Sequence, residues 1–148
     1  MTMMNNHKFD ERQLWIRGNI FMHAFIAQVA LLLVNAFLVD NGFIWAERFH
    51  ENLLLLLIPI FICSLELIFR DVYVQTKAQR LITIGIFSIG SIFGIITCMV
   101  DYRKGEAFIT NDMLTSNGGS LATFLIFFTI TVCLIIKTIK DRIASSDE

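Results

Sequence analysis

The chain has few of the residues by which soluble enzymes and nucleic-acid-binding proteins are recognised. Only 17% of its 148 residues are charged, the formal net charge is −1, and no basic patch with interleaved aromatic residues is present. It contains no glycine-rich phosphate loop, no nucleophile elbow and no HExxH zinc motif. The three histidines, His7, His23 and His50, lie in segments that are far apart. We therefore predict a protein that is not an enzyme, binds no nucleic acid and holds neither a cofactor nor a metal.

Cysteine and proline are also scarce. The three cysteines (Cys63, Cys98 and Cys133) all lie within apolar runs, which is typical of small buried side chains rather than of disulfides. The single proline, Pro59, lies inside the second apolar run. Proline is tolerated in membrane-spanning helices, where it removes a backbone hydrogen bond and can kink the helix.

Long hydrophobic runs are abundant, and they predict the fold. Each run is close to the roughly 20 apolar residues that cross a hydrocarbon core about 30 Å thick. The spans are predicted at 20–39, 53–69, 81–100 and 121–139, the last of them if Lys137 snorkels. The sequence thus predicts an all-α protein, a four-helix antiparallel transmembrane bundle that forms a single membrane domain over residues 1–148. Because the connections are short, we expect helices that are consecutive in sequence to pack against each other.

The distribution of lysine and arginine predicts the orientation. With both termini inside, nine of these residues lie on the cytoplasmic side and three outside. The predicted location is therefore a plasma membrane, with cytoplasmic N and C termini. Ahead of the first span, residues 9–18 predict a short N-terminal interfacial helix with Asp10 as its N-cap and Gln13 three residues later.

The N-terminal segment also carries a resemblance. The residues Phe9-Asp10-Glu11-Arg12-Gln13, followed by Arg17-Gly18 and an apolar helix, resemble small uncharacterised bacterial membrane proteins that open with an Asp-Glu-Arg-Gln motif. The resemblance covers Phe9 to about Val39. It implies a bacterial inner membrane and a regulatory or accessory role, and it brings no known activity or catalytic residues.

Polar residues inside the spans are the first candidates for a functional site. Glu66 lies near the predicted cytoplasmic end of the second span and Arg70 follows four residues later, so one interpretation is a simple interfacial ion pair. The alternative interpretation depends on how deep each polar residue lies in the membrane. His23 should lie at nearly the same height on the antiparallel first helix, which predicts a polar cluster of His23, Glu66 and Arg70. Such a cluster can sense or relay protons.

Three further patterns predict local structure or contacts in the third span and the outer loops. Gly90 and Gly94 form a small-xxx-small motif that favours close helix packing, either within the bundle or at a homodimer seam. Glu47, His50 and Glu51 have helical spacing, but as a metal site they would need further ligands from the second outer loop. The stretch at residues 117–120, Asn-Gly-Gly-Ser, predicts a mobile turn before the fourth span.

The sequence leaves two function classes open. The first is a small accessory, regulatory or immunity-type protein in the lipid bilayer that binds a membrane-protein or peptide partner. The second is a small oligomeric transporter or channel subunit, for instance a homodimer, that uses Glu66 as a proton or cation site.

Overall fold

The computed structural model describes residues 10–73, 77–105 and 107–144. Within these ranges it contains four long helices, each long and apolar enough to cross a membrane. Their bounds are α1 Glu11–Asp40, α2 Arg48–Phe69, α3 Lys77–Arg103 and α4 Ser116–Ala144. Two short strands, β1 Ile109–Thr110 and β2 Met113–Leu114, precede α4. The predicted all-α class and four-helix architecture are confirmed.

The helices extend beyond the predicted spans at most ends. The interfacial segment and the first span form one continuous helix, and a capping box begins it: Asp10 accepts from the backbone N–H of Gln13, and the Gln13 side chain accepts from the Asp10 backbone. Phe9, the first residue of the predicted interfacial helix, lies outside the described residues. We call the end of the bundle where α1 begins and α4 ends the terminal end, and the opposite end the cap end.

Helix α4 lies at the centre of the arrangement. Both α2 and α3 pack along α4, whereas α1 packs on α2, so the helices lie in the order α1, α2, α4, α3. No comparable contact between α2 and α3 is present in the described ranges. The expectation that consecutive helices pack together is thus wrong for α2 and α3, whose seven-residue connection allows each of them to pack along α4 instead.

The apolar core lies toward the terminal end, where α2, α3 and α4 meet. Ile68, Ile130 and Leu134 are buried there against partly buried side chains that include Phe87 and Ile84. Helix α1 contributes little to burial, since Ile20 is its one buried residue. In water a helix with so little burial would be unstable, because its apolar side chains would remain exposed to solvent. A hydrocarbon layer accepts these side chains as readily as a protein core does.

A small β-ladder joins the two connections at the cap end. Strands β1 and β2 form an antiparallel hairpin through a turn at Asn111 and Asp112, which adopt positive φ angles of 52° and 60°. The backbone of Leu114 then bonds to the other connection, donating to Trp45 at 2.8 Å and accepting from Glu47 at 2.9 Å. These bonds pair backbone N–H and C=O groups of the two connections, which lie outside the helices and so have no helical partner.

The Asn-Gly-Gly-Ser stretch is not a mobile turn. Residues 117–120 form the first turns of α4, and all four are buried. An added Cβ at Gly118 would collide with the carbonyl oxygen of Phe108, and one at Gly119 would collide with the ring of His50. The glycines are present because neighbouring groups approach the α4 backbone closely, and a sequence pattern alone does not distinguish this use from a turn.

Gly90 and Gly94 face α4 within the same chain. A Cβ on Gly90 would lie 2.8 Å from the ring of Phe127, and a Cβ on Gly94 would lie 2.9 Å from the Cα of Phe124. The small-xxx-small motif therefore joins α3 to α4, and this face is occupied before any second copy of the chain could use it.

Replacing Gly94 with alanine should destabilise the protein by about 1–3 kcal/mol, because the backbone of Phe124 cannot move away without shifting α4. Gly85→Ala is the matched control on the same helix, since a Cβ there meets nothing within 4 Å. The measurement is unfolding by sodium dodecyl sulfate in mixed micelles, followed by circular dichroism. Equal stability of the two variants would contradict the close contact between α3 and α4.

Candidate functional site

The structure brings His23, Glu66 and Arg70 together at the terminal end. The Nδ1 atom of His23 lies 3.3 Å from Oε2 of Glu66, and Nε of Arg70 lies 3.1 Å from Oε1 of the same carboxylate. His23 and Arg70 thus bind different oxygens of the Glu66 carboxylate. We call these three residues the terminal cluster. The simple interfacial pair of Glu66 and Arg70 is therefore present, and His23 is added to it.

The antiparallel arrangement of α1 and α2 explains this contact. His23 follows the start of α1 by about three turns, and Glu66 precedes the end of α2 by about one, so both lie near the terminal end. The Glu66 side chain is 22% exposed, whereas those of His23 and Arg70 are more than half exposed. The carboxylate is thus shielded by its two partners, which is how an acid in apolar surroundings remains satisfied.

A second contact ties α1 to the cap end of α2. Asn35 donates from Nδ2 to Oε1 of Glu51 at 2.6 Å, and Trp45 donates from Nε1 to Oδ1 of Asn35 at 2.7 Å. Glu51 is buried, with only 8% of its surface exposed. We call Asn35, Trp45 and Glu51 the cap clasp. The sequence reasoning missed this group, although the depth argument used for His23 and Glu66 also pairs Asn35 with Glu51.

Buried polar groups continue from the cap clasp across α3 and α4. Asp101 accepts from Ser116 Oγ at 3.1 Å and from Lys104 Nζ at 2.9 Å. The fully buried Asn117 accepts from the thiol of Cys98 at 3.3 Å. The cysteine thus serves as a small buried donor, and all three cysteines are free in the structure. The cap end therefore holds most of the polar side chains that the bundle buries.

His50 is the exception in this network. It is 7% exposed, its ring packs on the backbone of Gly119, and Phe49 lies edge-on to it at a centroid distance of 5.2 Å. Its Nδ1 atom is buried and has no hydrogen-bond partner among the described residues. Leaving such a group unpaired costs about 1–3 kcal/mol, so a buried histidine of this kind calls for an explanation.

The metal interpretation of Glu47, His50 and Glu51 gains no support from the geometry. Glu51 points to α1 through Asn35, whereas His50 packs on α4 at Gly119, so the two side chains diverge. The described residues contain no group of three potential metal ligands. Glu106, in the second outer loop from which further ligands would have to come, lies outside the described residues.

An ion-pair network joins the connection between α2 and α3 to the end of α4. Arg80 binds Asp141 at 2.7 Å, and Lys137 binds Asp71 at 3.2 Å. The guanidinium of Arg80 lies 5.4 Å from the centre of the Tyr73 ring. Burial raises the pKa of the Tyr73 phenol and the Arg80 charge opposes this only in part, so the group stays neutral. This network holds α2, α3 and α4 together at the terminal end.

Comparison with known proteins gives no guide to this arrangement. No protein-family model, no curated protein and no solved structure matches the chain. The interpretation of the site therefore depends on its geometry alone.

The terminal cluster predicts non-additive losses of stability. His23→Gln and Glu66→Gln each remove the same contact, so the double variant should be less destabilised than the sum of the single variants. The coupling energy should be about 0.6 kcal/mol and at most about 1.7 kcal/mol, the range measured for hydrogen bonds between membrane helices. Unfolding in mixed micelles measures it. Strict additivity would mean that His23 and Glu66 do not interact.

Proposed function

We propose that this chain is a small accessory or regulatory membrane protein, of the immunity-protein type, that acts by binding a membrane-protein or peptide partner. The observation that carries the proposal is the peripheral position of α1. This helix contacts the rest of the bundle through α2, and Ile20 is its one buried residue. A 30-residue helix with so little burial leaves most of its surface available to a second protein.

The manner in which α1 is attached supports the same proposal. Within residues 23–35 of α1, hydrogen bonds to the rest of the chain are found at the two ends, at His23 and Asn35. The half-buried amide of Gln28, between them, makes no hydrogen bond with any described residue. Lipid provides no hydrophobic force to hold helices together, so polar contacts and packing decide which helix α1 prefers. A partner helix that offers a hydrogen bond to Gln28 can therefore compete with α2 for contact with α1.

The proposed setting is the inner membrane of a bacterium, with both termini in the cytoplasm. In this orientation the terminal end lies inside, together with the basic residues of the terminal cluster and of the ion-pair network. The cap end, with its buried carboxylates Glu51 and Asp101, then lies outside. The excess of lysine and arginine at the terminal end supports this orientation.

Cysteine labelling tests the orientation. In a variant without the three native cysteines, Asp112→Cys at the hairpin turn should react in intact cells with a maleimide that cannot cross membranes. Ala144→Cys at the end of α4 should react only after lysis. Both positions are exposed, so access depends on the side of the membrane. The reverse pattern would contradict the proposed orientation.

Photo-crosslinking in the native membrane tests the partner proposal. A photoreactive amino acid at Leu33 of α1, 67% exposed, should give one discrete protein adduct. Ile82 of α3 is the matched control, 62% exposed at the other edge of the bundle, and should give lipid adducts only. Identical adduct patterns at the two positions, or lipid adducts alone at Leu33, would reject α1 as the binding surface.

A small oligomeric transporter or channel subunit is the second candidate. The observation that favours it is the Glu66 carboxylate held between two bases on a helix that borders the poorly buried α1. This function requires an oligomer, in which a polar pathway past Glu66 would form between copies of the chain. The mass of the particle in nanodiscs separates the candidates: a monomer would reject the transporter, and a dimer with proton flux that Glu66→Gln abolishes would support it.

A further inference from the structure

A cavity of about 650 Å³ lies between α1 and α2 at the cap end. Four of its lining residues belong to the last turns of α1 and three to the first turns of α2, and its volume is that of a small-molecule site. Asp40 is the last residue of α1 and Arg48 is the first of α2. The mouth of the cavity therefore lies at the helix ends, where the membrane surface meets water.

Glu51 is the buried charged residue that lines this cavity. Only 8% of its surface is exposed, and its Oε1 atom accepts from Nδ2 of Asn35 at 2.6 Å. Its other oxygen, Oε2, accepts no hydrogen bond from a described residue, and it is not enclosed as Nδ1 of His50 is. A carboxylate can accept several hydrogen bonds. A molecule in the cavity can thus donate to Oε2 of Glu51.

The charges that line the cavity favour a cation. Asp40 and Arg48 are both exposed and have opposite charges, so they cancel to a first approximation. The third charged residue of the lining is Glu51, whose carboxylate is the buried one. A single positive charge beside Glu51 would therefore be attracted, and an anion would be repelled.

The other charged residues at the cap end do not reverse this preference. Glu47, the N-cap of α2, adds negative charge. Lys104 pairs with Asp101 at 2.9 Å, and neither residue lines the cavity. Arg103 is exposed at the end of α3, a helix that packs on α4, and the exposed Asp112 in the hairpin opposes its charge. Water and salt screen such exposed charges strongly.

The lining also distinguishes among cations. No group of three potential metal ligands exists among the described residues. No lining residue is aromatic, whereas quaternary ammonium ions are bound by aromatic rings. A guanidinium binds both oxygens of a carboxylate side by side, but Asn35 already occupies Oε1 of Glu51. A primary ammonium group is a compact charge that can use the one remaining oxygen.

We propose that this cavity binds a primary ammonium group carried on a short aliphatic chain. The ammonium group donates to Oε2 of Glu51, and the aliphatic chain lies along Ala36, Val39 and Ile44, which form the apolar part of the lining. The bound molecule contacts both α1 and α2 and so adds to the cap clasp. The proposal does not depend on a partner protein and holds even if α1 binds none.

The test uses the full chain in phosphatidylcholine nanodiscs, with propylammonium as the probe. Saturation-transfer nuclear magnetic resonance measures binding, and empty nanodiscs correct for partition into lipid. Propylammonium should bind saturably. Propanol, which has a similar size and no charge, should bind at least about fivefold more weakly, and so should propylguanidinium and tetramethylammonium.

Nanodiscs that contain phosphatidylethanolamine distinguish two sources of the ammonium group. The head group of this lipid carries a primary ammonium group at the membrane surface. If the lipid occupies the cavity, propylammonium binding should be lost in these nanodiscs. If the natural ligand is a soluble amine, binding should be the same in both kinds of nanodisc.

Three variants make the proposal specific. Glu51→Gln keeps an acceptor for Asn35 and removes the charge, so it should weaken propylammonium binding about tenfold or more. Ala36→Phe fills the cavity and should have the same effect without touching the carboxylate. Ala30→Phe is its control, since Ala30 is exposed on the same helix and does not line the cavity. Equal affinity for propylammonium and propanol, or equal affinity in Ala36→Phe and Ala30→Phe, would overturn the proposal.

Discussion

The close approach of α4 to its neighbours is the constraint on which the rest of the structure depends. Glycines make it possible on both sides: Gly90 and Gly94 of α3 meet α4 at Phe127 and Phe124, and Gly119 of α4 meets the ring of His50 on α2. Lipid gives no hydrophobic driving force between helices, so contact at backbone distance and internal hydrogen bonds must hold them together. Once α4 occupies the centre, α2 and α3 each pack along it, and their side chains meet in the apolar core toward the terminal end.

The attachment of α1 has a different physical basis. It combines two polar contacts, the terminal cluster about three turns into α1 and the cap clasp about one turn before its end, with packing against α2 that buries only Ile20. Each contact gives a carboxylate of α2 a partner from α1: Glu66, which Arg70 also binds, at one end and the buried Glu51 at the other. This makes α1 the helix whose position is most easily changed by a competing polar group, and it is the basis of the proposed partner binding.

Much of this arrangement follows from the sequence, and some of it does not. Run length alone predicts the four helices, and equal depth on antiparallel helices predicts the contact of His23 with Glu66. The order of the helices is not predicted, because connection length sets a limit on which helices can pack and does not choose among them. Residues 117–120 are wrongly predicted as a turn, since glycine favours both turns and close backbone contacts. The ladder between Leu114 and Trp45 depends on residues about 70 positions apart and has no local signal.

A distance measurement tests most directly whether polar contacts hold α1 to α2. Spin labels at Leu33 on α1 and Ile60 on α2 report the α1–α2 separation by pulsed electron paramagnetic resonance, and labels at Ile60 and Leu125 report α2–α4. In the double variant His23→Leu with Asn35→Leu, the account predicts that the α1–α2 distance lengthens and its distribution broadens, while the α2–α4 distance stays unchanged. An unchanged α1–α2 distance would contradict it, because apolar packing would then suffice to hold α1 in place.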